Sequence, residues 1–202
     1  MEHGRAVDEH RTPSRLRRQQ WNTPHHAHEL TFSTYRRRQW LSDSAAAHAF
    51  LQALDVARLK HDFEVFAYVV MPEHCHVLVC PKSQAYDMGE ILRAIKSPAA
   101  KAIFGEFPQL RQLCRIERTG RKPEYRFWQP GGGYDRNIFK SKTVWQVIDY
   151  FHANPVRRRL CKRPTEWPWS SAAAYEGLST PVPVDMCRWT SELDSPYKLE
   201  RF

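Results

Sequence analysis

The sequence predicts an α+β domain, helices packed against antiparallel strands, and three observations carry that prediction. Two apolar runs, Val65 to Met71 and Val77 to Cys80, flank Pro72 and Glu73, which is the pattern of a hairpin. From His28 to Tyr35, Leu30, Phe32 and Thr34 alternate with Thr31, Ser33 and Tyr35, the period of two that a strand requires. Three other stretches repeat apolar residues at helical spacing.

Residues 1–24 carry Arg11, Arg15, Arg17 and Arg18 without an apolar period and read as a flexible basic arm. Residues 25–175 form the predicted domain, and 176–202 an irregular tail over its surface, punctuated by Pro181, Pro183 and Pro196. Within the domain, Ser42 and Asp43 cap a helix reaching Lys60, with Ala46, Phe50, Leu54 and Leu59 on its buried side. Met88 to Phe104 is a second helix, with Ile91, Leu92, Ile95, Ala99, Ala102 and Ile103 on its apolar face and an expected break at Pro98. Phe107 to Pro130 reads as an irregular loop with a basic, aromatic tip. Gly131 to Gly133 lacks the Lys-Ser/Thr ending of a phosphate loop and reads as a hinge or tight turn. Tyr134 to Phe139 fits a short strand, and Ser141 to Asn154 a helix burying Val144, Val147, Ile148 and Phe151, with Pro155 opposing its continuation.

At 202 residues the chain suits one domain. Lys and Arg number 31 against 22 Asp and Glu, a net charge of +9 that favours a polyanionic partner, nucleic acid first. Aromatic residues make up 12% and interleave with arginines, which suits stacking on unpaired bases. Five cysteines without a Cys-x-x-Cys spacing argue against a disulfide framework or zinc ribbon and for a reducing cytoplasm. No apolar run approaches the roughly 20 residues of a membrane span, so no membrane partner is expected.

His74 and His76 lie one residue apart in the apolar run and share a strand face with Leu78, while Cys75, Val77 and Val79 face the other way. Two imidazoles so placed can chelate a divalent metal. Tyr150 and Asn154 are four apart, one turn from each other on a helix face. A tyrosine phenol can attack a phosphodiester when a metal neutralises the nonbridging oxygens, and an asparagine amide can add an oxygen ligand.

Met71-Pro-Glu-His-Cys-His76, Phe127-Trp-Gln129, Asp149-Tyr150, Asn154-Pro-Val156 and Trp167-Pro-Trp-Ser-Ser171 occur in this order across most of residues 28–175. In that series the chain resembles the single-tyrosine transposases of the HUH superfamily, especially the REP-associated tyrosine transposases. Cys75 stands where the pattern has a hydrophobic residue between the histidines.

The resemblance implies an HUH-endonuclease (ferredoxin-like) α+β fold, with an antiparallel sheet bearing the histidines, helices on one face and the nucleophilic tyrosine on a separate helix. It further implies binding of a single-stranded DNA hairpin and cleavage through a covalent 5′-phosphotyrosine at Tyr150. Mg²⁺ or Mn²⁺ would sit on His74 and His76, with Asn154 where some relatives place a glutamine ligand. Arg36, Arg37, Arg38, Lys96, Arg126, Arg136, Lys140, Arg157 and Arg158 are the candidate DNA-backbone contacts, and Trp128 the candidate base-stacking residue. Monomer and homodimer both remain open, as does action of Tyr150 within or across chains. The competing readings are a noncatalytic DNA-hairpin binder and a metal hydrolase that activates water.

Overall fold

The computed structural model describes residues 22–185. Almost all of the arm expected over 1–24, and the tail beyond Asp185, lie outside the described residues. In chain order the elements are β1 (Ala27–Ser33), α1 (Ser44–Lys60), β2 (Phe63–Met71), β3 (His74–Pro81), α2 (Met88–Glu106), α3 (Pro108–Leu113), β4 (Arg115–Arg118), β5 (Arg121–Tyr125), β6 (Tyr134–Ile138) and α4 (Ser141–Arg157). No helix among the described residues is long and apolar enough to cross a membrane.

Four strands form one antiparallel sheet in the order β2-β3-β1-β6. Because β-strand side chains alternate, each face of this sheet has its own core. On one side Leu30, Phe32, Cys75, Val77 and Val79 meet Phe50 and Leu54 of α1 and Ile91 and Ile95 of α2. On the other, Val69, Met71 and Leu78 meet Val144, Val147, Ile148 and Phe151 of α4. Helices therefore cover both faces rather than one. The reason is visible in the strands, since every residue of β3 and every residue of β2 except Glu64 is buried, leaving no solvated face.

The proline rules failed twice. Helix α2 runs through Pro98, which lies on the exposed side, and α4 continues through the buried Pro155 to Arg157. In each case burial of the surrounding apolar stripe outweighs one lost backbone hydrogen bond. Residues 107–130 are also more regular than expected, because α3 is followed by a β4–β5 hairpin that turns at Gly120, φ +68°. The hairpin carries exposed Arg115, Arg118, Arg121 and Lys122 and has no buried face to generate an alternating pattern.

The domain also extends past its expected end at residue 175. Val182 is fully buried in the α1/α2 core, and its N–H donates to the Tyr68 hydroxyl at 3.3 Å. Asp185 then donates its N–H to the Val65 carbonyl at 2.9 Å and accepts from the Val65 N–H at 3.0 Å.

Gly133 lies where the chain re-enters the sheet. Its φ is +80°, and a Cβ there would sit 2.2 Å from the Thr31 carbonyl oxygen, a backbone atom that cannot swing aside. Gly133→Ala is expected to destabilise the domain by more than about 2 kcal/mol, combining left-handed strain with a clash. A urea denaturation midpoint equal to wild type would contradict this.

Candidate metal and nucleophile site

Strand register builds the site. Met71 pairs with His74 across the hairpin, while Thr31 and Ser33 of β1 oppose His76 and His74. This alternation turns both histidines toward α4 and sends Cys75 into the opposite core. Helix α4 crosses the histidine face with Phe151 stacked on the His76 ring at 4.9 Å. One turn of that helix separates Tyr150 from Asn154, so both reach the same end of β3.

Nε2 of His74 and Nε2 of His76 are 3.0 Å apart, and the Asn154 side-chain amide lies 3.1 Å from the latter. Behind them, His74 Nδ1 faces the Glu73 carboxylate at 3.1 Å and His76 Nδ1 faces the Thr31 hydroxyl at 2.7 Å. A carboxylate only accepts, so His74 carries its proton on Nδ1 and presents a lone pair at Nε2. Burial pushes the His76 imidazole down to about 3, helped by neighbouring His74 and Arg37, and burial likewise lowers His74 against the opposing pull of Glu73. Both rings are thus neutral near pH 7, the state a metal ligand needs.

Two imidazole nitrogens and an amide whose oxygen can be turned inward form a donor set that fits a divalent cation. Among the described residues, no three His, Cys, Asp or Glu side chains converge as a metal cluster, and the polar group beside the two imidazole nitrogens here is the Asn154 amide.

Tyr150 is 42% exposed, with its ring 5.6 Å from that of His76 and the Arg157 guanidinium 5.7 Å from its centroid. The structure thus brings Tyr150, His74, His76, Asn154 and Arg157 together. Arg37 lies nearby, 69% exposed and 3.9 Å from Glu73. Arg36 and Arg37 both adopt left-handed backbone, with φ of 56° and 52°, and Arg38 continues this exposed loop.

The other expected DNA contacts scatter. Arg136 forms an ion pair with Glu29 on β1, Arg126 one with Glu124, and Lys140 lies exposed before α4 beside Phe139. Lys96 lies on the far side of the sheet, over the Phe32 ring. Trp128 does not fit its expected stacking role. It is 9% exposed, its ring packs edge-on against Phe32, Phe50 and Phe127, and its Nε1 donates to the Lys96 carbonyl, so it is held mainly as a core residue.

Glu73 and Thr31 are the residues that sequence reasoning passed over. Glu73 was read as a turn residue, yet its buried carboxylate accepts from His74 and from both terminal nitrogens of Arg158, at 2.5 and 3.3 Å. Burial alone would raise its pKa, but the Arg158 hydrogen bonds together with His74 more than offset this and hold it below the usual carboxylate value. Its place directly before His74 was the available signal, whereas Thr31 depends on a register that sequence does not reveal. Arg158, expected to contact DNA, instead ties the end of α4 to the histidine hairpin. Arg158→Gln should cost on the order of 1–2 kcal/mol, discounted because the guanidinium is 40% exposed. Urea unfolding tests this, and unchanged stability with weakened hairpin binding would restore the DNA-contact reading.

The fold is that of an α+β domain of the HUH type. The Transposase IS200 like family matches residues 22–152, and the chain belongs to that family. It is similar to the REP-associated tyrosine transposase of Escherichia coli, with 26% identity over 118 residues, covering 57% of this chain and 59% of that protein. The chain therefore aligns with less than two thirds of the length of that curated relative. A solved REP-associated tyrosine transposase bound to a REP hairpin shares its fold, with a TM-score of 0.62 and 22% identity over 85% of this chain and 93% of that one. A putative transposase from Deinococcus radiodurans gives a TM-score of 0.45 at 20% identity, over 69% of this chain and 97% of that one.

Proposed function

We propose that this protein is a metal-dependent single-stranded DNA transesterase, transposase-like, that binds a DNA hairpin and cleaves beside it through a covalent bond to Tyr150. The observation that carries the reading is the position of an exposed phenol against the His76 ring, one helical turn from an amide that lies 3.1 Å from Nε2 of that ring. Family membership supports it, as does the net charge of +9.

In this reading Tyr150 attacks the scissile phosphorus, a bond forms from the phenolic oxygen to phosphorus, and the bond to the 3′-oxygen breaks. The phenol loses one proton and the departing 3′-oxygen gains one, so the exchange balances and phosphodiester energy is kept for rejoining. His74, His76 and Asn154 would hold Mg²⁺ or Mn²⁺, which when bound supplies neutralisation of the nonbridging oxygens. Thr31 and Glu73 orient the two rings from behind. Arg157, across the Tyr150 ring, supplies positive charge where the phosphate arrives.

The test is incubation of the full chain with a library of single-stranded hairpins and Mn²⁺, followed by recovery and sequencing of protein-linked DNA. A metal-dependent adduct enriched in hairpins is expected. Hairpin binding without any adduct would favour a noncatalytic binder, and cleavage without an adduct a water-activating hydrolase.

A further inference from the structure

On the side of the sheet turned away from the histidines lies a cavity that the cleavage chemistry leaves unused. It measures about 490 Å³ and lies between α2 and the segment running from Glu124 to Gly132. Lys96 stands in its wall. The Lys96 ammonium sits 5.3 Å from the Phe32 ring centroid and donates to the Gly131 carbonyl at 2.9 Å. Among the described residues no carboxylate lies within ion-pair distance of it.

An ammonium has three donors, and one is spent on that carbonyl, so two stay directed at the cavity or at solvent. Burial lowers the Lys96 pKa to about 8, which registers the cost of a partly desolvated cation lacking a counterion. Arg93, exposed on α2 one turn earlier, lines the same cavity, whereas Arg126 is already held by Glu124. Gly131 and Gly132 offer backbone without side chains, and the Trp128 Nε1 bond to the Lys96 carbonyl fixes this wall to α2.

We propose that this cavity is a phosphate subsite, in which Lys96 and Arg93 take a backbone phosphate of the bound DNA away from the cleavage centre. The assignment of the phosphate to DNA rests on the hairpin-cleaving function proposed above. A physical route links the two places. Cys75, between the two histidines, points through the sheet toward the Lys96 side. At the end of β1, Thr34 bridges to Trp128, Gln129 donates its N–H to the Ser33 carbonyl, and the Gln129 side chain accepts from the Arg36 N–H. Exposed Arg36 therefore stands between the cavity rim and the His74 end of the sheet, where a strand running from one site to the other would pass.

Lys96→Met keeps an unbranched stem but removes the charge together with the bond to the Gly131 carbonyl, Arg93→Ala removes the second cation, and Lys96→Arg restores charge and donors at the first position. Anisotropy titrations of the full chain in chelator, across a salt series, use a hairpin with a single-stranded extension and the same hairpin blunt. Lys96→Met and Arg93→Ala are each expected to weaken the extended hairpin roughly three- to tenfold and to lower the salt slope by about one ion, with Lys96→Arg near wild type. A separate arm measures thermal stabilisation by inorganic phosphate, expected for wild type and lost in Lys96→Met. If hairpins fail to bind at all while phosphate still stabilises wild type alone, the anion site stands for free phosphate and the DNA reading falls. If hairpins bind all variants alike with unchanged salt slope and phosphate stabilises none, the subsite is overturned and the DNA reading survives.

Discussion

Tyr150→Phe is expected to abolish the covalent protein–DNA product while leaving fold and hairpin affinity unchanged. The substitution deletes one oxygen, and that oxygen makes no hydrogen bond to the described residues, so nothing in the packing depends on it. The ring contacts with His76 and Phe151 remain. Two other tyrosines are the relevant controls. Tyr175 donates its hydroxyl to the Phe66 carbonyl at 2.6 Å, and burial raises its pKa well above the ordinary phenol, so it is held as a structural strut. Tyr134 is the sharper competitor, because it is 46% exposed and opposes Thr31, the residue behind His76. It lies on β6, with β1 between it and the strand that carries the two histidines. Tyr134→Phe should therefore retain the adduct. Recovery of the 5′-phosphate on Tyr134 by peptide mass spectrometry, or a wild-type adduct yield in Tyr150→Phe, would show the nucleophile to be elsewhere.

Periodicity in the sequence made the sheet and the three long helices legible, because each buries an apolar stripe or alternating face that the residues spell out. Strand β6 was short but bounded by Gly133 and Ser141, which sufficed. Elements whose faces stay in water left no such trace, as with the β4–β5 hairpin and its line of exposed arginines. Prolines misled for a related reason, since a local penalty of one hydrogen bond says nothing about the apolar contacts on either side. At the candidate site, residue type and spacing marked His74, His76, Tyr150 and Asn154 for attention, and the family resemblance supplied their expected roles. Their supports could not be marked in this way, because Thr31 lies 45 residues from His76 and Arg158 lies 85 from Glu73. Charge proved the weakest guide to individual contacts. Arg126, Arg136 and Arg158 all look like phosphate ligands in sequence, yet each faces a glutamate in the fold.

His76→Ala is the other substitution with a large expected effect, namely loss of Mn²⁺ binding and of all cleavage with hairpin affinity retained. His76 is the hub of the donor set, since its Nε2 lies within 3.1 Å of both the His74 nitrogen and the Asn154 amide. Removing it leaves His74 and Asn154 without the donor that joins them, whereas Asn154→Ala removes a peripheral donor that water can replace and should reduce activity less. Hairpin affinity is expected to survive because it comes from exposed basic residues rather than from the buried rings. The complication is packing, as the His76 ring stacks on Phe151 and is 5% exposed, so Ala also opens a void costing on the order of 1–3 kcal/mol. His76→Gln fills more of that space without supplying an imidazole and separates the two effects. Calorimetric Mn²⁺ titration of wild type, His76→Ala, His76→Gln and Asn154→Ala, each checked for cooperative unfolding, decides the matter. Wild-type Mn²⁺ affinity and cleavage in a folded His76→Gln protein would remove His76 from the metal site and leave it as a core residue beneath Tyr150.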